Sequence, residues 1–269
     1  MCRIALLPSG YKGEKIVDFL DDLEKSKGGD GNGFGWFNKR NEAQVIKGLK
    51  VKNKTINTIK PASDMVLYHT RIASAGETND ENTQPFITKA DGGDPFILCH
   101  NGTWTTYAEY KKILLMMGKL KVKHYKEWSD TRFMAHLIAT QGEDRLDLPT
   151  SGVWVKFYGN KAIVHVKDGG DWCAYKIGKK WMYASEFPED EYKKIWKFKS
   201  NSLVLCTPDE GFKILEGDGA DYEDNTSSYS RTYRSYGKGA RGGIKTTYYG
   251  KDGKKYELTD DESWSHFND

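Results

Sequence analysis

No run of apolar residues in this chain approaches the roughly twenty needed to cross a bilayer, so no helical membrane span is expected. The four cysteines, Cys2, Cys99, Cys173 and Cys206, are widely scattered, with no C-x-x-C and no histidine pair at zinc spacing. That pattern argues against a disulfide framework and against a metal site, and it fits a reducing cytoplasm. An excess of one charge is missing too. The 41 Lys and Arg against 38 Asp and Glu leave a formal +3, too little to imply nucleic acid, a membrane surface or an acidic substrate. No secretory signal pattern precedes the first apolar segment. The glycine-rich stretch at 28–37 lacks the Gly-Lys-Ser/Thr of a phosphate-binding loop, and no cofactor is expected.

What is present suffices for a sizeable core. With 38% hydrophobic residues in 269, the chain can form one large domain, or a domain of about 200 residues with an appendage. Its organising feature is Cys2. An aminopeptidase that removes Met1 would leave a thiol and an α-amine on one residue, and these titrate near 8.5 and about 7.7–8.0 in free form, so a nucleophile and its base would come together. The bland alternative is a small hydrophobe at the start of a strand, and residues 2–7 do read as a buried strand.

Residues 14–25 carry Ile16, Phe19, Leu20 and Leu23 at helical spacing, stopped by Gly28-Gly29. Met65-Val66-Leu67-Tyr68 reads as a core strand that runs into His69-Thr70-Arg71, and Phe96-Ile97-Leu98-Cys99 as another that ends in His100-Asn101-Gly102. Asn-Gly suits a hairpin. Here, however, Thr106-x-x-Glu109 reads as a capping box, followed by Tyr110, Ile113, Leu114 and Met117 at helical spacing. Strand, Asn-Gly and then helix better suits a turn that presents N–H groups and an amide to a developing oxyanion. A second helix begins at Ser129-Asp130-Thr131, with Phe133, Met134, Leu137 and Ile138 as its apolar stripe. Asp130 there could simply complement the helix dipole.

After Pro149 short strands follow at 152–158, 161–167, 172–177, 180–184, 193–199 and 203–205, naturally antiparallel. Residues 227–243 are of low complexity, and 244–258 could form an isolated hairpin around Lys251-Asp252-Gly253. The expected division is a domain over 1–206 and a Gly/Ser/Tyr-rich, disordered or loosely packed tail over 207–269.

Four pieces stand in a fixed order: Met1-Cys2-Arg3; Tyr-His-Thr-Arg-Ile-Ala-Ser-Ala-Gly at 68–76 with Asn82-Thr83-Gln84-Pro85-Phe86; Cys-His-Asn-Gly-Thr at 99–103; and Ser-Asp-Thr-Arg-Phe-Met-Ala-His-Leu-Ile at 129–138. Together they resemble the class II glutamine amidotransferases, the glutaminase branch of the N-terminal-nucleophile hydrolases, from Cys2 to about Cys206. Gly33-Phe34-Gly35 and Tyr183-Ala184-Ser185-Glu186 are similar to further family features. The resemblance implies an α+β fold, the four-layer αββα sandwich. It implies that Cys2 attacks the glutamine amide through a γ-glutamyl thioester while its own α-amine moves the proton. Asn101 and Gly102 would bind the oxyanion, Arg71 the substrate α-carboxylate and Asp130 its α-ammonium, with a hydroxyl contact from Ser74.

Ile72 and Ala75 depart from the Trp or His of some relatives, and Gln84 replaces a frequent His before Pro85. These changes fall in the substrate loop. The last 60 or so residues are too polar and glycine-rich to be an ammonia-consuming synthase domain, so either a separate synthase or acceptor protein exists or the chain works alone. Two other readings keep the residues but change the outcome: an N-terminal-nucleophile amidohydrolase of another amide, or a catalytically idle module that engages a partner through its tyrosine-rich tail.

Overall fold

A computed structural model of the chain describes residues 2–119, 121, 127–148, 150–188, 192, 194–224, 246–249 and 255–258. Among these, two antiparallel sheets lie face to face with helices outside them, the four-layer αββα arrangement. From edge to edge the first sheet runs β14 (Ala220–Asp224), β11 (Lys194–Phe198), β9 (Cys173–Ile177), β10 (Lys180–Ala184), β1 (Arg3–Pro8), β4 (Met65–Thr70), β2 (Asn32–Phe37) and β3 (Ala43–Gly48). The second runs β16 (Lys255–Leu258), β15 (Thr246–Tyr249), β13 (Gly211–Glu216), β12 (Ser202–Thr207), β8 (Ala162–Val166), β7 (Val153–Phe157), β6 (Phe96–Asn101) and β5 (Phe86–Thr88).

Alternation within the strands explains the layers, because successive side chains point to opposite faces. On β1, Ile4 and Leu6 enter the inter-sheet core with Leu67 of β4, Ile97 and Cys99 of β6 and Val155 of β7. Ala5 and Leu7 point the other way, onto Ile16, Phe19, Leu20 and Leu23 of α1 (Glu14–Lys27). Both faces of β1 are therefore buried, which is why it reads as an unbroken apolar run instead of an alternating one. The second sheet repeats the scheme: Phe96 and Leu98 of β6 and Trp154 of β7 meet Phe133, Met134, Leu137 and Ile138 of α3 (Asp130–Gln141). Among the described residues no helix is long and apolar enough to cross a membrane.

Several expectations are corrected. The late strands are antiparallel as expected, but they divide between the two sheets. β7, β8 and β12 join the second sheet while β9, β10 and β11 join the first, because the chain passes between layers in connections that carry no pairing signal. The boundary at Cys206 cuts a hairpin: β12 pairs with β13 and β11 with β14, and Phe212, Ile214 and Ala220 belong to the inter-sheet core. The packed domain thus continues through Asp224. The hairpin expected near 244–258 exists as β15 and β16, but it is not isolated, since β15 pairs with β13. The low-complexity stretch 227–243 and Met1 lie outside the described residues.

The helix after Asn101-Gly102, α2 (Tyr107–Met116), is present, yet its capping box is not. The Thr106 side chain makes no cap, because its hydroxyl accepts from Trp104 Nε1 at 2.9 Å. Its expected stripe is also half wrong: Tyr110 and Leu114 pack against the core, whereas Ile113 and Met117 are exposed.

Candidate active site

Cys2 lies one residue beyond the ladder that begins with the Arg3–Thr70 pair of β1 and β4, and continuing that register sets it opposite Arg71. The side chain is 6% exposed. Its thiol donates to the Ile72 carbonyl at 3.5 Å, and its own carbonyl accepts from Arg3 Nη1 at 3.3 Å. Burial pushes the Cys2 thiol above the usual range; the Ile72 hydrogen bond and the Arg71 charge oppose this, while Asp130 adds to it. At neutral pH the group is therefore a thiol, and an attack through sulfur needs a base to take its proton.

Asn101 closes β6, buried and paired with Val153, and its Oδ1 has no partner among the described residues. Gly102 follows in the turn. A Cβ there would lie 2.5 Å from the Ser151 carbonyl and 2.6 Å from His100 Nε2, so no larger residue fits without moving the backbone. The residue before this pair is fixed by Gln84, whose Nε2 donates to the His100 carbonyl at 3.1 Å and whose Oε1 accepts from the His100 N–H at 2.7 Å. Gln84 thus supports the residue that leads into the Asn101-Gly102 turn.

Arg71 begins a loop that it also folds. Its guanidinium donates from Nη1 to the Glu77 carbonyl and from Nη2 to the Ala75 carbonyl, both at 3.0 Å, and two of its five N–H donors are used in this way. Asp30 shapes the same loop by accepting from the Ala73 N–H at 2.8 Å. Burial lowers Arg71 from its ordinary value, opposed by the nearby acidic groups, Asp30 and Asp130 among them. The loop reaches the Asn101-Gly102 turn through Ser74, whose hydroxyl lies 3.4 Å from that of Thr103.

Asp130 stands in the first turn of α3. Ser129 caps that helix by accepting from the Arg132 N–H at 3.2 Å, as its position predicts. The Asp130 carboxylate accepts from the Trp104 N–H at 3.0 Å and from the Thr131 N–H at 2.8 Å. His100 Nδ1 is 3.8 Å away, and its ring stacks on Trp154 with centroids 3.7 Å apart. His100 Nε2 meets the Ser151 carbonyl at 2.9 Å; a carbonyl only accepts, so this nitrogen carries the proton. Burial lowers His100 from its ordinary value, which favours the neutral ring. Asn82 joins the two loops: its Nδ2 donates to the carbonyls of Glu77 and Glu127, and its Oδ1 accepts from the Ser129 N–H.

All six expected site residues, Cys2, Arg71, Ser74, Asn101, Gly102 and Asp130, therefore converge at one end of the inter-sheet layer. The supporting roles of Gln84, His100 and Asn82 went unread, although each lies within a quoted motif. Asp30 had no signal beyond its glycine-rich surroundings. Four of those glycines, Gly28, Gly31, Gly33 and Gly35, sit in close approach to a neighbour. A Cβ at Gly33 would collide with the Gln84 carbonyl and Pro85, and one at Gly35 would come within 2.9 Å of Ile97.

A family profile described as glutamine amidotransferases class-II matches residues 21–119. The chain is 31% identical over 176 residues to a glutamine–fructose-6-phosphate aminotransferase (isomerizing) of Thermotoga maritima, an alignment covering 62% of this chain and 27% of that protein. Its fold is similar to that of a glutamine phosphoribosylpyrophosphate amidotransferase from B. subtilis, with a TM-score of 0.57 at 18% identity, covering 86% of this chain and 50% of the other. It is likewise similar to a structure described as the allosteric regulatory enzyme of purine biosynthesis, with a TM-score of 0.59 at 17% identity over 84% and 49% of the two chains. The chain thus spans about a quarter of the curated relative and about half of each solved structure. At these identities the solved structures speak to the fold alone.

Proposed function

We propose, from the premise that this chain carries a class II glutamine amidotransferase domain, that it hydrolyses the side-chain amide of glutamine to glutamate and ammonia. The observation that carries this reading is geometric convergence on one thiol. Cys2 bonds the Ile72 carbonyl in the loop that Arg71 folds, that loop meets the Asn101-Gly102 turn at Ser74 and Thr103, and the turn closes β6, which packs on β1 across the core.

In this mechanism Cys2 Sγ attacks the amide carbon, and its proton passes to the α-amine exposed by removal of Met1. The α-amine then gives that proton to the leaving nitrogen as the carbon–nitrogen bond breaks. Asn101 Nδ2 and the Gly102 N–H hold the oxyanion in between. Water attacks the resulting γ-glutamyl thioester and releases glutamate. A thiol held protonated by burial makes the adjacent amine necessary, which favours an N-terminal nucleophile over a preformed thiolate. Arg71 takes the α-carboxylate with its remaining donors. Asp130 takes the α-ammonium, and Ser74 adds a hydroxyl contact. This pair of opposite charges favours an α-amino acid over other amides.

The test is to incubate purified, Met1-trimmed protein with glutamine and to measure ammonia and glutamate in equal amounts. Intact mass of the active fraction should correspond to a chain that begins at Cys2. Full activity in protein that retains Met1 would overturn the mechanism.

A further inference from the structure

Tyr183-Ala184-Ser185-Glu186 has no part in the reaction as described, and neither does Arg3, although Arg3 is nearly as buried as its neighbour Cys2. The two pieces meet. Arg3 Nε donates to Glu186 Oε2 at 2.6 Å and to Ser26 Oγ at 3.2 Å, and Arg3 Nη2 lies 2.5 Å from the same carboxylate oxygen. Ser26 Oγ is itself 3.2 Å from Glu186 Oε2 and donates to the Leu23 carbonyl at 3.0 Å, which ties the cluster to the last turns of α1. The remaining arm of the guanidinium, Nη1, reaches back to the Cys2 carbonyl. One residue further on, Ser185 exchanges hydrogen bonds with Ile4: its Oγ accepts from the Ile4 N–H at 3.0 Å, and its N–H donates to the Ile4 carbonyl at 2.9 Å.

We propose that Arg3, braced by Glu186 and Ser26, is a positioning residue that fixes the backbone of Cys2. The inference rests on the glutaminase reading above. Cys2 stands outside the β1–β4 ladder, and a chain end that lacks ladder bonds frays unless something ties it down. Arg3 points to the α1 side of the sheet while Cys2 points into the inter-sheet layer, so the guanidinium orients the nucleophile from behind without touching the substrate's side of the residue. A planar guanidinium suits this task because its donors leave in fixed directions, two towards Glu186 and one towards the carbonyl. The clamp would matter most where nucleophile and base share one residue, since a rotation of that residue displaces both.

Arg3→Ala is expected to lower kcat for glutamine on the order of tenfold to a hundredfold, as a misplacement of about 1 Å can, and to leave KM within a factor of about three. Added guanidinium ion should restore part of the loss in Arg3→Ala and none in the wild type, a response that a merely structural role would not give. Glu186→Gln, which removes the brace and keeps the guanidinium, should lower kcat by roughly threefold to tenfold with an unchanged melting temperature. If Arg3→Ala folds and keeps the wild-type kcat, or loses only KM, the clamp is wrong while the glutaminase reading stands. If Arg3→Ala does not fold, Glu186→Gln decides, and a wild-type kcat there overturns the proposal. Wild-type protein that releases no ammonia from glutamine defeats the proposed function first, and the clamp with it.

Discussion

Cys2, Asn101 and Gly102 stand at the ends of strands, whereas Arg71, Ser74 and Asp130 stand on a loop and a helix start, and different forces hold the two groups. β1 and β6 are buried on both faces, so the strands that lead to these residues are fixed by close-packed apolar layers, with Cys2 itself tied by the bond from Arg3 to its carbonyl. The loop-borne residues are held by polar bonds among themselves: Arg71 to the carbonyls of Ala75 and Glu77, Asp30 to the Ala73 N–H, and Asn82 between Glu77 and Ser129. Apolar packing resists displacement in every direction, while a hydrogen-bonded loop can re-form around a ligand. On the proposed function, chemistry falls to the first half and recognition to the second. Substitutions in the first half should therefore change kcat, and those in the second should change KM.

The largest effect should come from Cys2→Ser. It keeps the shape but supplies a hydroxyl far harder to deprotonate, so turnover should fall roughly a thousandfold or more while glutamine binding by calorimetry persists. A glutamine-mimicking electrophile should label Cys2 and spare Cys99, Cys173 and Cys206, since only Cys2 would carry a base on its own α-amine. Labelling at another cysteine would break the assignment.

Next, Gly102→Ala forces a Cβ against the Ser151 carbonyl and His100 and displaces the turn. Loss of one oxyanion donor costs about a hundredfold to a thousandfold in kcat, and steady-state kinetics should show little change in KM. A change confined to KM would place Gly102 with the recognition half.

Arg71→Lys keeps the charge but loses both the fork and one of the two loop carbonyls. A loss of about 2–4 kcal/mol in kcat/KM, carried chiefly by KM, is expected from truncated buried charge contacts. Unaltered glutamine kinetics in this variant would remove Arg71 from the substrate site.

The smallest effect is on stability. His69 is fully buried on β4, and burial, with the positive charges of Arg71 and Lys47, lowers it to about 3. The unfolded chain protonates this ring near pH 6.5 and the folded chain does not, so folding loses stability as pH falls through that window. Between about pH 7 and pH 5 the loss should reach about 2 kcal/mol, read from urea midpoints across pH, and His69→Asn should flatten the slope. Burial lowers His100 in the same direction, so a residual slope should survive in His69→Asn and shrink further when His100 is also replaced.

α1 and α3 were legible because their stripes, Ile16 to Leu23 and Phe133 to Ile138, each cover a sheet face and are buried as their spacing requires. The stripe of α2 misled because only part of that helix lies over the second sheet, so Ile113 and Met117 stay in solvent. The end of the domain was misread for a related reason. β13 and β14 sit in a polar, glycine-bearing stretch, and only Phe212, Ile214 and Ala220 carry them into the core. Composition averages over such sparse anchors, whereas pairing with β12 and β11 does not.

The linear order of residues by itself determined the helices, the strands of the core, and which side chains were chemically unusual for their positions: a cysteine opening a strand, an arginine closing one, and Asn-Gly before a helix. These are local properties, set by periodicity and by the cost of polar groups next to apolar runs. Only the tertiary structure decided which strands share a sheet, that Gln84 braces His100 from 16 residues away, that Asn82 ties the Arg71 loop to α3 across 47, and that Glu186 meets Arg3 across 183. Such contacts depend on how two sheets stack and where their strands end, and no local preference encodes that geometry.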